Sequence, residues 1–381
     1  MSSQSGAKMA PKLIELVKPN IVNKYTADFK PMLMEHLAQR HKLLSIPTNV
    51  PKNVANVGGE RSYVLLGSLA KLESALMKWT MNELVSRFNF TPVVVPNIIH
   101  DHIIEKCGFP THSNRSQVYK IAATNKRSIL DDISREATTL PLQPFNDNSN
   151  TNGRKQSQSC IAGTSEFALA SIHVGDVIPH EDLPKRYCAI SRCYRAETSS
   201  ISSEWGIYRV HYFNKVEMFA FTMPAESAKM HQEFLAIQKD LFSQLNLHFQ
   251  VLDMPEDDLG LSAKKKYDIE AWMGGRQRYG EISSTSNCED YQSSRLNIKY
   301  SRMMERDNQL EIDSGFLHTV NGTACSSIRT IIALFEQNQT EDHRVELPDV
   351  LVPYMDGVKS LPTERDLDSL EELDLYPDPT K

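Results

Sequence analysis

The chain has 381 residues, 40 % of them hydrophobic and 24 % charged, with a formal net charge of −6. That length buries a large core, enough for one big domain or two ordinary ones, and the composition is that of a globular protein in water. The acidic balance excludes bulk electrostatic capture of nucleic acid, though not a local basic patch, and no apolar run reaches the length of a membrane-spanning helix.

Residues 1–45 hold seven Lys and Arg against three acids, too few arginines for a strong mitochondrial presequence signal. Met32, Leu33, Leu37 and Leu44 predict a short helix over 29–44. Pro47, Pro51 and the Gly58-Gly59 pair then break any regular element, so 1–58 reads as a lead-in. Leu69, Leu72, Leu76, Trp79 and Leu84 recur at helical spacing and predict a helix over 66–88. The β-branched run 90–96 (FTPVVVP), bounded by prolines, predicts an edge or interface strand. Residues 123–158 are polar, centred on 146–153 (NDNSNTNG), and read as a flexible insertion.

Two strands are expected over 186–197 and 207–222. In the second, Tyr208, Val210, Tyr212 and Asn214 alternate with Arg209, His211, Phe213 and Lys215. Pro224 opens a helix whose apolar face is Met230, Phe234, Ile237, Leu241 and Leu245. Further strands are expected over 249–252 and 271–283. The alternation of Asp290, Gln292 and Arg295 predicts a strand with a solvated polar face. A last helix follows Thr323, and the end of the chain, from Glu364, carries seven acids and two bases. Hairpins with few βαβ units argue for an α+β fold, an antiparallel sheet flanked by helices.

Neither a Gly-x-Gly-x-x-Gly nor a Walker loop is present, so a nucleotide would need side-chain cations and a metal. Arg195, in 192–197 (RCYRAE), and Arg329, in 321–329 (NGTACSSIR), are the candidate cations. A guanidinium stays charged and grips phosphate oxygens as a planar fork. Glu197, Glu217 and Glu281 can hold Mg²⁺ or an amino group, and Phe213 can stack on a purine. Each has a plainer reading in isolation: a surface ion pair for an arginine, a core position for Phe213, a turn for Glu281. Thr164 and Glu166 fit either a small ligand's ammonium or the cap of a following helix. His211 has no local nucleophile signature and reads as packed or hydrogen-bonded. The six cysteines form no Cys-x-x-Cys pair and read as buried thiols.

Taken together, these segments resemble class II aminoacyl-tRNA synthetases. The run 90–96 is similar to the family's first motif, 192–217 to its second and 321–336 to its third. Segments 251–260 (VLDMPEDDLG), 267–273 (YDIEAWM), 280–288 (GEISSTSNC) and 290–295 (DYQSSR) carry a closer resemblance to seryl-tRNA synthetases of the mitochondrial branch. The resemblance covers roughly 59–354. It implies a class II catalytic domain over 59–354 with the insertion at 123–158, a shortened N-terminal remnant of the tRNA-binding arm over 1–58, and an acidic tail over 355–381.

The resemblance also implies roles. Thr164 and Glu166 would hold the serine ammonium. Arg195 would bind the serine carboxylate and the α-phosphate. Glu217, Asn321 and Thr323 would line the serine pocket. Glu197 would contact adenine, with Phe213 stacked on it. Glu281 would hold Mg²⁺ on ATP, and Arg329 the γ-phosphate. The implied activity is ATP-dependent charging of tRNA(Ser) in the mitochondrial matrix by a homodimer, or a heterodimer with a paralogue. Three departures bear on it, one being the insertion 123–158 between the first motif and Thr164, where the family is usually compact. Few residues precede the core, and the second-motif loop 198–205 carries Glu204 and Trp205, with Ser294 also standing where basic residues are common. A catalytically silent paralogue acting as a binding partner is the alternative.

Overall fold

The protein was analysed as a computed structural model that describes residues 9–18, 61–65, 67–112, 116–122, 157–197, 206–306, 309–340 and 344–361. The helix expected over 29–44, most of the 123–158 insertion, the loop 198–205 and the chain from 362 onward lie outside the described residues.

Fourteen strands matter here. They are β1 (Lys12–Val17), β2 (Thr91–Pro92), β3 (Ile98–His100), β4 (Tyr119–Lys120), β5 (Ser159–Ile161), β6 (Val177–Pro179), β7 (Lys185–Tyr194), β8 (Tyr212–Thr222), β9 (Phe249–Asp253), β10 (Lys265–Met273), β11 (Arg278–Glu289), β12 (Lys299–Arg306), β13 (Gln309–Phe316) and β14 (His318–Ser326). Eight form one sheet in the order β1-β9-β10-β11-β14-β8-β7-β2. Every neighbouring pair is antiparallel except β2 with β7. The helices are α1 (Gly67–Ser86), α2 (Asp101–Lys106), α3 (Glu166–Ala170), α4 (Ser227–Gln244), α5 (Tyr291–Leu296) and α6 (Ser327–Gln337).

The periodicities explain the layering. Leu72, Leu76, Trp79 and Leu84 of α1 are buried, as are Met230, Phe234, Ile237 and Leu241 of α4 and Ile328, Ile331 and Leu334 of α6. These stripes share one core with Val216, Met218 and Ala220, the even positions of β8. The odd positions Phe219 and Phe221 face a second core with Phe167, Leu169 and Ala189. Burial on both faces makes β8 a central strand, and each buried Leu, Ile or Phe contributes about 1.5–3 kcal/mol. Position 217 is therefore enclosed by the fold, and a charged residue there needs a partner.

Several expectations are corrected. The run 90–96 does supply a strand at the sheet edge, but β2 is only two residues long and parallel to its neighbour. The stretch 271–283 is not one strand. It spans the turn of the β10–β11 hairpin, where Gln277 takes a left-handed φ of 50°. The segment holding Asp290, Gln292 and Arg295 is the helix α5, not a strand, and Gln292 is completely buried. The β12–β13 hairpin was not anticipated. Lys12–Val17, inside the lead-in, pairs with β9 and extends the sheet. All six cysteines are buried and unpaired, and no described helix is long and apolar enough to cross a membrane.

Candidate active site

Two groups of side chains, carried by neighbouring strands, make the site. β8 serves both, because alternation puts Phe213, Lys215 and Glu217 on one side of it.

The outer group borders a small, open cleft lined by Arg195, Glu197, Tyr208, Phe213, Arg329 and their neighbours. Arg195 follows the end of β7. Its N–H donates to the His211 carbonyl at 2.9 Å, and its Cζ lies 5.1 Å from the Phe213 ring centroid. It makes no ion pair among the described residues. His211 Nδ1 lies 3.1 Å from the Arg195 carbonyl oxygen and 2.9 Å from the Tyr119 hydroxyl, so this histidine holds backbone in place. Glu197 is buried, adopts a left-handed φ of 43°, and accepts from Arg209 Nη1 at 3.4 Å. A non-glycine residue in that region stores strain of order 1–3 kcal/mol, which the surroundings must offset.

Arg329, on the first turn of α6, donates through Nη1 to the Glu281 carbonyl at 3.0 Å and to its Oε2 at 3.3 Å. Its Cζ stands 4.5 Å from the Tyr208 ring centroid, and the Arg276 Cζ stands 3.9 Å from the same centroid. Tyr208 thus contacts two guanidinium groups. A Cβ on Gly280 would come within 2.7 Å of Met273 Sδ and 3.0 Å of the Tyr208 ring, so a side chain there would have to displace the methionine and press on the ring. Partial burial would raise the Glu281 carboxyl, but Arg329, Lys266 and Arg195 outweigh it and hold it below its ordinary value. Nearby Asp268 is pushed up to about 7 by burial and by Glu281, with Lys266 opposing.

The inner group is almost closed to solvent. Lys215 and Glu217 form a buried ion pair, and Lys215 Nζ also donates to Thr164 Oγ1 at 2.8 Å. Thr164 Oγ1 accepts the Glu166 N–H at 3.2 Å as well. Glu166 Oε1 accepts from Gln292 Nε2 at 2.7 Å and from Asn321 Nδ2 at 3.0 Å. Burial, reinforced by Glu217, pushes the Glu166 carboxyl up to about 7 against the pull of Lys215 and Gln292. Thr323 stands opposite Glu217 in the β14–β8 register and is buried.

The fold thus brings Arg195, Glu197, Phe213 and Arg329 around one cleft, with Glu281 tied to Arg329 at its edge. Thr164 and Glu217 meet at Lys215, Asn321 bonds Glu166, and Thr323 stands opposite Glu217 on β14, all of them buried. Two contributors escaped the sequence reading. Lys215 carried a signal, since it shares its parity with Phe213 and Glu217. Gln292 lies inside the 290–295 segment of the resemblance, which gives it no role, and the alternation there reads as a solvated strand face.

The chain from 150 to 338 matches the family model described as tRNA synthetase class II core domain (G, H, P, S and T). A mitochondrial serine–tRNA ligase from Mus musculus is 42 % identical over 309 residues, which are 80 % of this chain and 52 % of that protein. The chain therefore spans about half the length of this mammalian relative. A serine–tRNA ligase from Borreliella afzelii is 35 % identical over 89 % of this chain and 69 % of its own length. The chain belongs to the seryl-tRNA synthetase family. Its fold agrees. A seryl-tRNA synthetase from Pyrococcus horikoshii, complexed with ATP, superposes with a TM-score of 0.72 at 27 % identity. That match covers 93 % of this chain and 73 % of the other. The antiparallel sheet with α1, α4 and α6 against it is the class II synthetase core.

Proposed function

We propose that the protein is a serine–tRNA ligase of mitochondrial type, which activates serine with ATP and transfers the seryl group to the 3′ end of tRNA(Ser). The observation that carries this reading is the buried cluster of Thr164, Glu166, Lys215 and Glu217, joined through β8 to Phe213 in the arginine-lined cleft. Three buried charges are expensive to keep in a fold that only needs them for packing. In this reading Glu166 and Thr164 bind the serine ammonium, Glu217 and Thr323 meet its hydroxyl, and Asn321 lines the same pocket. Arg195 neutralises the serine carboxylate and the α-phosphate as a carboxylate oxygen attacks phosphorus and pyrophosphate leaves. Glu197 and Phe213 receive adenine, and Arg329 takes the γ-phosphate. No general base is required, because the serine carboxylate is already ionised at neutral pH. Catalysis is positioning and charge neutralisation.

Glu281 fits a Mg²⁺ that arrives with ATP. It is a half-exposed hard oxygen donor held below its ordinary carboxyl value, and no group of three or more metal-binding side chains occurs among the described residues. One carboxylate plus phosphates and water is the usual Mg²⁺ environment, and the ion supplies charge neutralisation on the phosphates.

The test is serine-dependent ATP–pyrophosphate exchange without tRNA. Exchange with serine, and none with alanine or threonine, supports the reading. No exchange from folded protein sinks it and leaves the silent paralogue. Thr323→Ala should lower the serine-over-alanine ratio of kcat/KM by about tenfold, the worth of one hydrogen bond to the substrate hydroxyl. An unchanged ratio removes Thr323 from the pocket.

The mitochondrial assignment is supported by the name of the Mus musculus relative, and the matrix is proposed with it as the compartment of mitochondrial translation; tagged protein found outside mitochondria would refute it. A homodimer is supported by exposed apolar side chains, Val94 and Ile98 near β2 and Met303, Leu310 and Ile312 on the β12–β13 hairpin. A monomeric mass in sedimentation would count against it. The domain boundaries 1–58, 59–354 and 355–381 are proposed with this reading, and limited proteolysis that cut first inside 59–354, apart from the 123–158 insertion, would refute them.

A further inference from the structure

Gln292 lies on α5, behind the pocket, with no solvent exposure. Both ends of its amide are engaged. Its Nε2 donates to Glu166 Oε1 at 2.7 Å, and its Oε1 accepts from the Thr319 hydroxyl at 2.8 Å. Thr319 is itself completely buried. A hydroxyl can turn to suit its partner, but the carboxylate can accept from the amide only through NH₂. The amide's orientation is therefore set by the Glu166 carboxylate, and the Thr319 hydroxyl holds it there. Asn321 Nδ2 adds a second donor to the same oxygen at 3.0 Å. No described side chain bonds Glu166 Oε2.

We propose that Gln292 is a positioning residue for serine, whose amide pins one oxygen of Glu166 and leaves the other for the substrate ammonium. This rests on the serine–tRNA ligase reading. The charged and titratable groups around Glu166 are few. Lys215 and Glu217 face it from β8, Cys288 from β11, and Cys107 from the end of α2. Glu217 and burial favour the neutral carboxyl, while Lys215 and the Gln292 bond favour the ionised one. The ammonium needs the ionised form. Serine affinity should therefore fall as pH drops through the region near 7, and loss of the Gln292 donor should move that fall to higher pH.

The experiment measures KM for serine and for ATP by pyrophosphate exchange from pH 6 to 9. It compares wild type, Gln292→Met, which keeps length without the donor, and Thr319→Val, which frees the amide to rotate. In Gln292→Met the serine KM should rise about tenfold to a hundredfold, with the ATP KM within about twofold. The acid limb should move up by about one pH unit. Thr319→Val should shift both readouts the same way by less. A folded Gln292→Met with the wild-type serine KM and acid limb overturns the proposal, and so does an equal rise in both KM values. If Gln292→Met does not fold, Thr319→Val decides, and a wild-type serine KM and acid limb in that variant overturn it. Wild-type protein that activates no serine overturns both this proposal and the reading beneath it.

Discussion

Arg195→Ala lowers serine-dependent pyrophosphate exchange by about a thousandfold, while the thermal midpoint barely moves. Loss of one preorganised donor at a developing charge costs about a hundredfold to a thousandfold. Arg195 is assigned to two anions at once, which places it at the upper end of that range. The stability forecast follows from its surroundings. The guanidinium makes no ion pair among the described residues and lies over Phe213 at 5.1 Å, a contact worth about 0.5–1 kcal/mol. The backbone at this point is held by the Arg195 N–H bond to the His211 carbonyl and by the His211 ring at the Arg195 carbonyl, both of which alanine keeps. Arg195→Lys should recover only a small part of the rate, because an ammonium cannot bridge carboxylate and phosphate through a planar fork. Exchange within tenfold of wild type in the alanine variant would remove Arg195 from the chemistry.

Sequence patterns made the long elements legible because burial on one face leaves a periodic trace. α1 and α4 show it at helical spacing, and β8 shows it as alternation that carries Phe213 and Glu217 to the same side. Short elements leave less. α5 has six residues, under two turns, and over that length a period of two and one of 3.6 select overlapping positions. The hairpin turn after β10 passes through Gln277, whose left-handed backbone is not announced by its residue type. Lys215 was passed over for a different reason. A lysine in an alternating strand is ordinarily solvated, and only the enclosure of β8 by β7, β14 and the second core makes this one an internal charge. The site's arginines were visible as residues, but their approach to one cleft depends on the β7–β8 hairpin and on α6 following β14 directly.

Lys215 carries the other large effect. Its Nζ joins Glu217 and Thr164, and Glu166 lies in the same buried pocket. Lys215→Met keeps the stem's volume and removes the only described ammonium from the pocket. Two carboxylates then share it without a counter-charge. Removing one partner of a buried pair costs about 3–5 kcal/mol, and the serine site loses its charge balance with it. Exchange at pH 7.5 should fall by at least about a hundredfold, and the urea midpoint should drop clearly. The pH dependence has a definite sign. Glu166 stands at about 7 in the folded protein, above its ordinary 4.5, so its contribution to stability is full below 4.5 and is lost as pH rises through 7. Without Lys215 the carboxyl moves higher still. The stability deficit of Lys215→Met should therefore be largest at alkaline pH and shrink on acidification, when a neutral carboxyl needs no counter-charge. Urea unfolding of both proteins at pH 6 and pH 8.5 reads this directly. A deficit that grows on acidification, or a variant with wild-type serine KM, would mean that the ammonium does not hold these two carboxylates together.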